Sequence, residues 1–152
     1  MEKFQDAIKD LSKLLLNYQF DEAEAYIKSN VHGHEIIKLL HWLAEEETGI
    51  LTYTFTSHLA SKLGTAFWHQ ASAVLLMESL SHIPSGHIAG YYHLDQAIEL
   101  APADWKLKEY ALNFYKEGLI ELKDAHEISQ EVLENDPDNA LAKEVQQAMP
   151  AS

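Results

Sequence analysis

The chain of 152 residues carries 24 acidic and 11 basic side chains, a net charge of −13 with neutral histidines, and no cysteine. Such a negative surface repels phosphate backbones, which argues against a nucleic-acid partner, while it favours encounter with a basic protein. The lack of cysteine excludes disulfides and thiolate chemistry, and no tract is apolar enough to span a membrane. The length predicts one domain, residues 1–152, and an amphipathic N-terminus without the apolar run of a signal peptide predicts a soluble cytoplasmic protein.

Apolar residues recurring every three or four positions predict helices through the first third of the chain. They indicate a first helical hairpin over residues 2–30 and a third helix over residues 33–47. That helix ends in the acidic run Glu45, Glu46 and Glu47, where negative charge opposes the helix dipole. The run is interpreted either as a solvated helix end or as one side of an acidic patch.

Residues 48–77 contain a single charged side chain, Lys62, which predicts a segment buried in the middle of the fold. Its beginning is ambiguous, because Leu51, Tyr53 and Phe55 alternate with threonines as in a strand. Leu51, Phe55 and Leu59 equally fit one helix face. A lone strand would have no pairing partner, so a helix is predicted.

Gly64 is predicted to end that helix, and a longer helix is expected over residues 65–82 before the turn sequence Ile-Pro-Ser-Gly-His. Two similar amphipathic phrases follow, over residues 90–104 and 125–139. Their prolines, Pro102 and Pro137, are about 35 residues apart and should end each helix. A further helix, closed by a glycine, is predicted between the phrases.

These phrases resemble the tetratricopeptide repeat (TPR) over residues 87–139. Small and apolar residues fall on the family's second-helix positions when each proline is placed at the repeat's closing proline. They are Gly90, Leu94, Ala97 and Ile98 before Pro102, and Ala125, Val132 and Leu133 before Pro137. The resemblance implies an all-α fold of stacked antiparallel hairpins in a right-handed superhelix, here about nine helices. The last of these, carrying Met149 and ended by Pro150, would cap the stack.

The resemblance also implies a groove lined by the first helix of each hairpin. With Trp105 at the first position of the last full repeat, the groove-facing residues are Lys106, Glu109, Tyr110 and Asn113. Trp68 and His69 complete the predicted partner-binding set, since aromatic residues are frequent interface anchors. Glu109 stands where members that clamp a carboxylate carry lysine, so a peptide with a free acidic C-terminus is not the expected ligand.

No phosphate-binding loop, nucleophile elbow or HExxH motif is present, and no cofactor is predicted. We therefore expect a non-enzymatic module that binds a protein or peptide, with no prediction of oligomeric state. One alternative is a small acidic inhibitor of a basic protein, of the kind that neutralises toxins. A second is a metal-dependent hydrolase built from some of the nine histidines, since three imidazoles can hold Zn²⁺ with an open position for water.

Overall fold

The computed structural model describes residues 1–148, and all regular secondary structure in this part of the chain is helical, with no strand. The predicted all-α fold of about nine helices is confirmed. The helices are α1 (Glu2–Leu16), α2 (Phe20–Asn30), α3 (Gly33–Trp42), α4 (Ile50–Leu63), α5 (Ala66–Met77), α6 (Gly86–Leu100), α7 (Trp105–Lys116), α8 (Leu122–Asn135) and α9 (Ala140–Gln147). Met149 and Pro150, expected at the end of the last helix, lie outside the described residues.

Local backbone chemistry sets several of the helix ends. Helices α6 and α8 stop two residues before Pro102 and Pro137, as the restriction that proline places on its predecessor requires. Gly64 ends α4 with φ +61°, a left-handed conformation that costs glycine little. Asn139 begins α9, and its side-chain oxygen accepts a hydrogen bond from the Ala142 N–H at 2.9 Å.

A π-helical turn, Leu43–Glu47, continues α3 and was not predicted. Its backbone pairs across five residues, and the Thr48 N–H donates to the Leu43 carbonyl at 2.8 Å. The Thr48 hydroxyl donates to the same carbonyl at 3.1 Å, which fixes the end of the turn. The extra residue in this turn rotates the three glutamates relative to the face that a regular α-helix would give them.

The prediction of one helix over residues 65–82 was wrong, because α5 ends at Met77. The Leu80 N–H donates to the Leu75 carbonyl at 2.8 Å, which closes the helix with a bond across five residues. Leu80 is nevertheless buried at 2% exposure, so the apolar pattern continues past the helix into a turn. Periodicity alone cannot separate a buried turn residue from a helical one.

Helix α5 lies at the centre of the fold and contributes to two apolar clusters. Trp68, Ala71 and Leu75 join the cluster formed by α1–α4, whereas Ala73 joins the cluster formed by α6–α9. At Gly90, α6 comes close to α5, so a Cβ there would lie 3.5 Å from the Ala73 carbonyl oxygen. The predicted central burial of residues 48–77 thus holds for α5, while α4 keeps an exposed outer face. Within residues 1–148, no helix combines the length and apolar character needed to cross a membrane.

Candidate functional site

Helix α7 carries four of the six predicted partner-binding residues, and it divides them between two surfaces. Tyr110 and Asn113 line a groove of about 330 Å³ between α7 and the end of α5. The other residues of this groove are Met77, Glu78, Lys116 and Glu117. Glu109 instead accepts a hydrogen bond from the Asn139 side chain at 3.2 Å, and Lys106 lies 5.8 Å above the Trp105 ring. We call the first surface the α5–α7 groove.

Tyr110 forms one wall of the α5–α7 groove. Its hydroxyl donates a weak hydrogen bond to the Glu78 carboxylate at 3.5 Å. Burial, and secondarily the charge of Glu78, raises the pKa of Tyr110 above its ordinary value. The phenol therefore remains a donor at physiological pH, with its ring half-buried. Asn113 is exposed and donates to the Tyr110 carbonyl at 3.0 Å, which fixes the orientation of its amide beside the ring.

Glu78 belongs to a hydrogen-bond network that joins three helical elements. His41, near the end of α3, places Nε2 3.3 Å from Glu78 Oε2 and contacts the Ser79 hydroxyl through Nδ1. The Ser79 hydroxyl also lies 2.9 Å from the Glu45 carboxylate in the π-helical turn. These contacts orient both carboxylates, of which Glu78 lines the groove while Glu45 lies on a separate surface with His82 and Ile83. Groups oriented in this way lose less side-chain entropy when they bind a cation.

Trp68 and His69 lie elsewhere, on α5. Trp68 is only 8% exposed and packs edge-on against Phe55 and Phe67, with ring centroids 6.1 and 5.0 Å away. Its indole belongs to the core and offers no surface to a partner. His69 is half-buried and directs Nδ1 toward Nδ1 of His93 at 3.0 Å, and His93 in turn contacts the Tyr53 hydroxyl at 3.0 Å.

The His69–His93 pair has unusual electrostatics. Burial, and secondarily the charge of His69, lowers the pKa of His93 to about 4. Burial also lowers the pKa of His69 below its ordinary value. Both rings are therefore neutral at physiological pH and serve to connect α4, α5 and α6. The residues that line the α5–α7 groove do not include His69 or His93, so this polar cluster lies apart from Tyr110 and Asn113.

The sequence suggests Glu45 as part of an acidic patch, but it gives no indication of His41 or Glu78. Two structural features were not predicted. The early end of α5 places Glu78 in a turn, and the π-helical turn directs Glu45 toward Ser79. Such turns are often associated with functional sites.

The alternative of a metal-dependent hydrolase requires several converging ligands. Among residues 1–148, no group of three or more histidine, aspartate or glutamate side chains converges in a way that could hold a metal ion. His32 and His34, an H-x-H pair, stack their rings at 6.1 Å. The chain has no significant match to a protein-family model, a curated protein or a solved structure.

Proposed function

We propose that this protein is a non-enzymatic, TPR-like binding module whose α5–α7 groove receives a basic segment of a partner protein. The observation that carries the proposal is the grouping of Tyr110 and Asn113 with the carboxylates of Glu78 and Glu117 in one groove. Tyrosine supplies a rigid aromatic wall, the asparagine amide can bond a peptide backbone, and the carboxylates favour lysine or arginine. The net charge of −13 adds long-range attraction for such a segment.

The ion pairs around the groove support a cationic ligand. Lys116 lines the groove but lies 3.6 Å from Glu144 of α9, which offsets its positive charge. Glu78 is 56% exposed in its side chain, so its carboxylate faces solvent although His41 contacts one oxygen and Tyr110 the other. A partner ammonium or guanidinium would therefore meet acidic groups already oriented toward the groove.

The test uses a random dodecapeptide library displayed on phage, selected against the full chain. Selected peptides should be rich in lysine or arginine, and their synthetic forms should bind measurably by fluorescence anisotropy. Combining Tyr110→Ala with Asn113→Ala should weaken binding at least tenfold while leaving the circular dichroism spectrum unchanged. Lys106→Ala is the matched control, because Lys106 lies on the same helix outside the groove. Peptides that bind the double variant as well as the wild type would contradict the proposal.

The acidic-inhibitor alternative is favoured by one observation, the exposure of Glu45, Glu46 and Glu47 together at the end of the π-helical turn. A basic partner could bind there across the acidic surface without using the aromatic groove. Attraction between exposed charges is screened at about 8 Å in physiological salt. Binding that collapses with added salt but is insensitive to Tyr110→Ala would indicate this function instead.

A further inference from the structure

His41, on α3, is connected to the α5–α7 groove through the carboxylate of Glu78. Its side chain is 21% exposed, and Nε2 lies 3.3 Å from Glu78 Oε2. At the other side of the ring, Nδ1 contacts the Ser79 hydroxyl, which lies 2.9 Å from the Glu45 carboxylate. One imidazole therefore stands between two carboxylates, in direct contact with Glu78 and connected to Glu45 through Ser79.

The positions of the hydrogen atoms in this chain of contacts follow from which groups can donate. An ionised carboxylate only accepts hydrogen bonds, so the Ser79 hydroxyl donates its single hydrogen to Glu45. The Ser79 oxygen must then accept from His41, which places a hydrogen on Nδ1. The contact with Glu78 is attractive only if Nε2 also carries a hydrogen, because its lone pair would otherwise face a carboxylate oxygen. Both contacts are therefore satisfied together only when the ring is an imidazolium.

The charge of His41 sets how much negative charge Glu78 presents to the groove. An imidazolium offsets that charge, whereas a neutral ring leaves the carboxylate to a ligand. A partner lysine or arginine bound at Glu78 would repel the imidazolium and replace it as the counter-ion. Binding of the partner and binding of the proton therefore oppose each other, and this coupling is reciprocal.

The other groups around this contact do not titrate in the same way. Burial raises the pKa of Tyr110, whose hydroxyl reaches Glu78 from α7, so the phenol stays neutral near physiological pH. Lysine and glutamate side chains ordinarily keep their charges between pH 5.5 and 7.5. The charged and titratable neighbours among the described residues are Lys38 on α3, Lys116 and Glu117 on α7, and His82 in the turn after α5.

We propose that His41 regulates the α5–α7 groove as a proton-dependent counter-ion of Glu78, so that binding of a basic segment releases a proton. This inference rests on the proposed function and adds the regulation of the same site. Imidazole ordinarily titrates near pH 6.5, so binding should be weaker below this pH, where His41 is charged, and stronger above it. A modest fall in pH would then release the partner segment.

The test measures binding of a fluorescent hexa-arginine peptide to the full chain by anisotropy, at about pH 7.5 and about pH 5.5. The ionic strength is kept above physiological, so that long-range attraction is screened. Affinity for the wild type should fall at least about fivefold at the lower pH, the size of an ordinary coupling between two sites. Calorimetry in two buffers of different ionisation enthalpy should show proton release on binding. His41→Gln should abolish both effects, with an unchanged circular dichroism spectrum.

His87→Gln is the matched control, because His87 is exposed on α6 and its replacement makes a similar change in overall charge. This variant should keep the full pH dependence. Glu78→Gln provides a second variant if His41→Gln does not fold, since Glu78 lies at a position that is 56% exposed. It should bind the peptide weakly and equally at both pH values.

Wild-type binding that does not change with pH, or a pH dependence that survives in His41→Gln or Glu78→Gln, would overturn the regulation by His41. The proposed function would still stand if that binding is lost in the Tyr110→Ala and Asn113→Ala double variant. Peptide binding that is absent, or that is unchanged in the double variant, would overturn both.

Discussion

Nδ1 of His69 lies 3.0 Å from Nδ1 of His93, so one of these nitrogens must donate the hydrogen and the other must accept it. A neutral pair satisfies this contact, and so does a pair carrying a single extra proton. A doubly protonated pair places two N–H groups against each other and cannot keep the contact. The Tyr53 hydroxyl on α4, 3.0 Å from His93 Nε2, completes the cluster. The connection between α4, α5 and α6 is therefore sensitive to acid.

We predict that acid destabilises the protein through His93. Its pKa is about 4 in the folded state, against 6.5 for an exposed histidine, so the unfolded chain binds more protons between these values. The contribution of His93 to the free energy of unfolding is fully present above about pH 6.5. It falls as the pH drops toward 4, by about 1.4 kcal/mol per pH unit and roughly 3 kcal/mol in total. His93→Gln should remove most of this slope, as urea unfolding followed by circular dichroism would show.

The exposed His87 on the same helix serves as the control, and His87→Gln should leave the slope unchanged. NMR titration provides a direct check on the same cluster. The His93 ring should remain neutral at pH 5.5 in the folded protein. A ring that titrates near pH 6.5 without loss of structure would contradict the acid sensitivity argued from this pair.

Local chemistry in the sequence predicts the helix ends at Gly64, Pro102 and Pro137, whereas the end of α5 and the contacts between helices escape it. Pro102 and Pro137 predict the ends of α6 and α8 because proline restricts only its immediate neighbours. The threonine alternation around Tyr53 suggests a strand, yet a helix forms there because Phe55, Leu59 and Ala60 bury one helical face in the cluster formed by α1–α4. The His69–His93 contact spans 24 positions and depends on how α5 and α6 pack, which no local pattern encodes.

The α5–α7 groove shows the same division. Tyr110 and Asn113 are one helical turn apart, so their common surface follows from spacing alone. Glu78 joins them only because α5 ends early, at a turn that buries Leu80. The position of Glu45 beside Ser79 depends on the π-helical turn, whose extra residue breaks the period from which helix faces are predicted.

The second prediction concerns Gly90→Ala. Adding a side chain at a close helix contact usually destabilises a protein, but here we expect stabilisation. A Cβ at this position would lie 3.5 Å from the Ala73 carbonyl oxygen, the Leu76 Cβ and the Met77 Cγ, which is ordinary van der Waals contact. Alanine also restricts the unfolded chain and favours the helix. Gly90→Ala should therefore stabilise the protein by about 0.5–1 kcal/mol, measured as a higher urea midpoint.

Gly64→Ala is the matched comparison for that prediction. Nothing lies within 4 Å of its Cβ position, but φ is +61°, where a side chain is strained. It should therefore destabilise by about 1 kcal/mol despite the open space. Equal effects of the two substitutions would show that neither backbone conformation nor packing distinguishes the two glycines.

Ala97 tests the packing of α6. It is fully buried, at 0% exposure, in the cluster formed with α7 and α8. Ala97→Leu adds three heavy atoms where the core has no room and should cost about 1–3 kcal/mol. The partly exposed Ala89 on the same helix is the control, and Ala89→Leu should change stability by less than about 0.5 kcal/mol. An unchanged denaturation midpoint for Ala97→Leu would mean that α6 turns a different face to the core.

The last prediction concerns Lys62, the one charged residue in residues 48–77. Lys62 Nζ lies 2.9 Å from both Glu24 and Asp21, so it connects α4 to α2, and Lys28 contacts Glu24 at the same distance. The hydrogen bond from Lys62, and then that from Lys28, holds the pKa of Glu24 below its ordinary value. Because the folded state favours the ionised carboxylate, this stabilisation is present above about pH 4.5 and is lost as the pH falls through the lower folded pKa.

Glu24→Gln should cost on the order of 1–2 kcal/mol at pH 7, since a buried carboxylate with two charged donors is replaced by a neutral amide. The exposed Glu22→Gln, on the same helix, should cost little. Urea unfolding between pH 7 and pH 3 should show the midpoints of the wild type and Glu24→Gln converging below pH 4.5, since the loss of stability through His93 affects both proteins alike. A Glu24→Gln penalty that is constant across this range would show that the carboxylate contributes through packing and not through its charge.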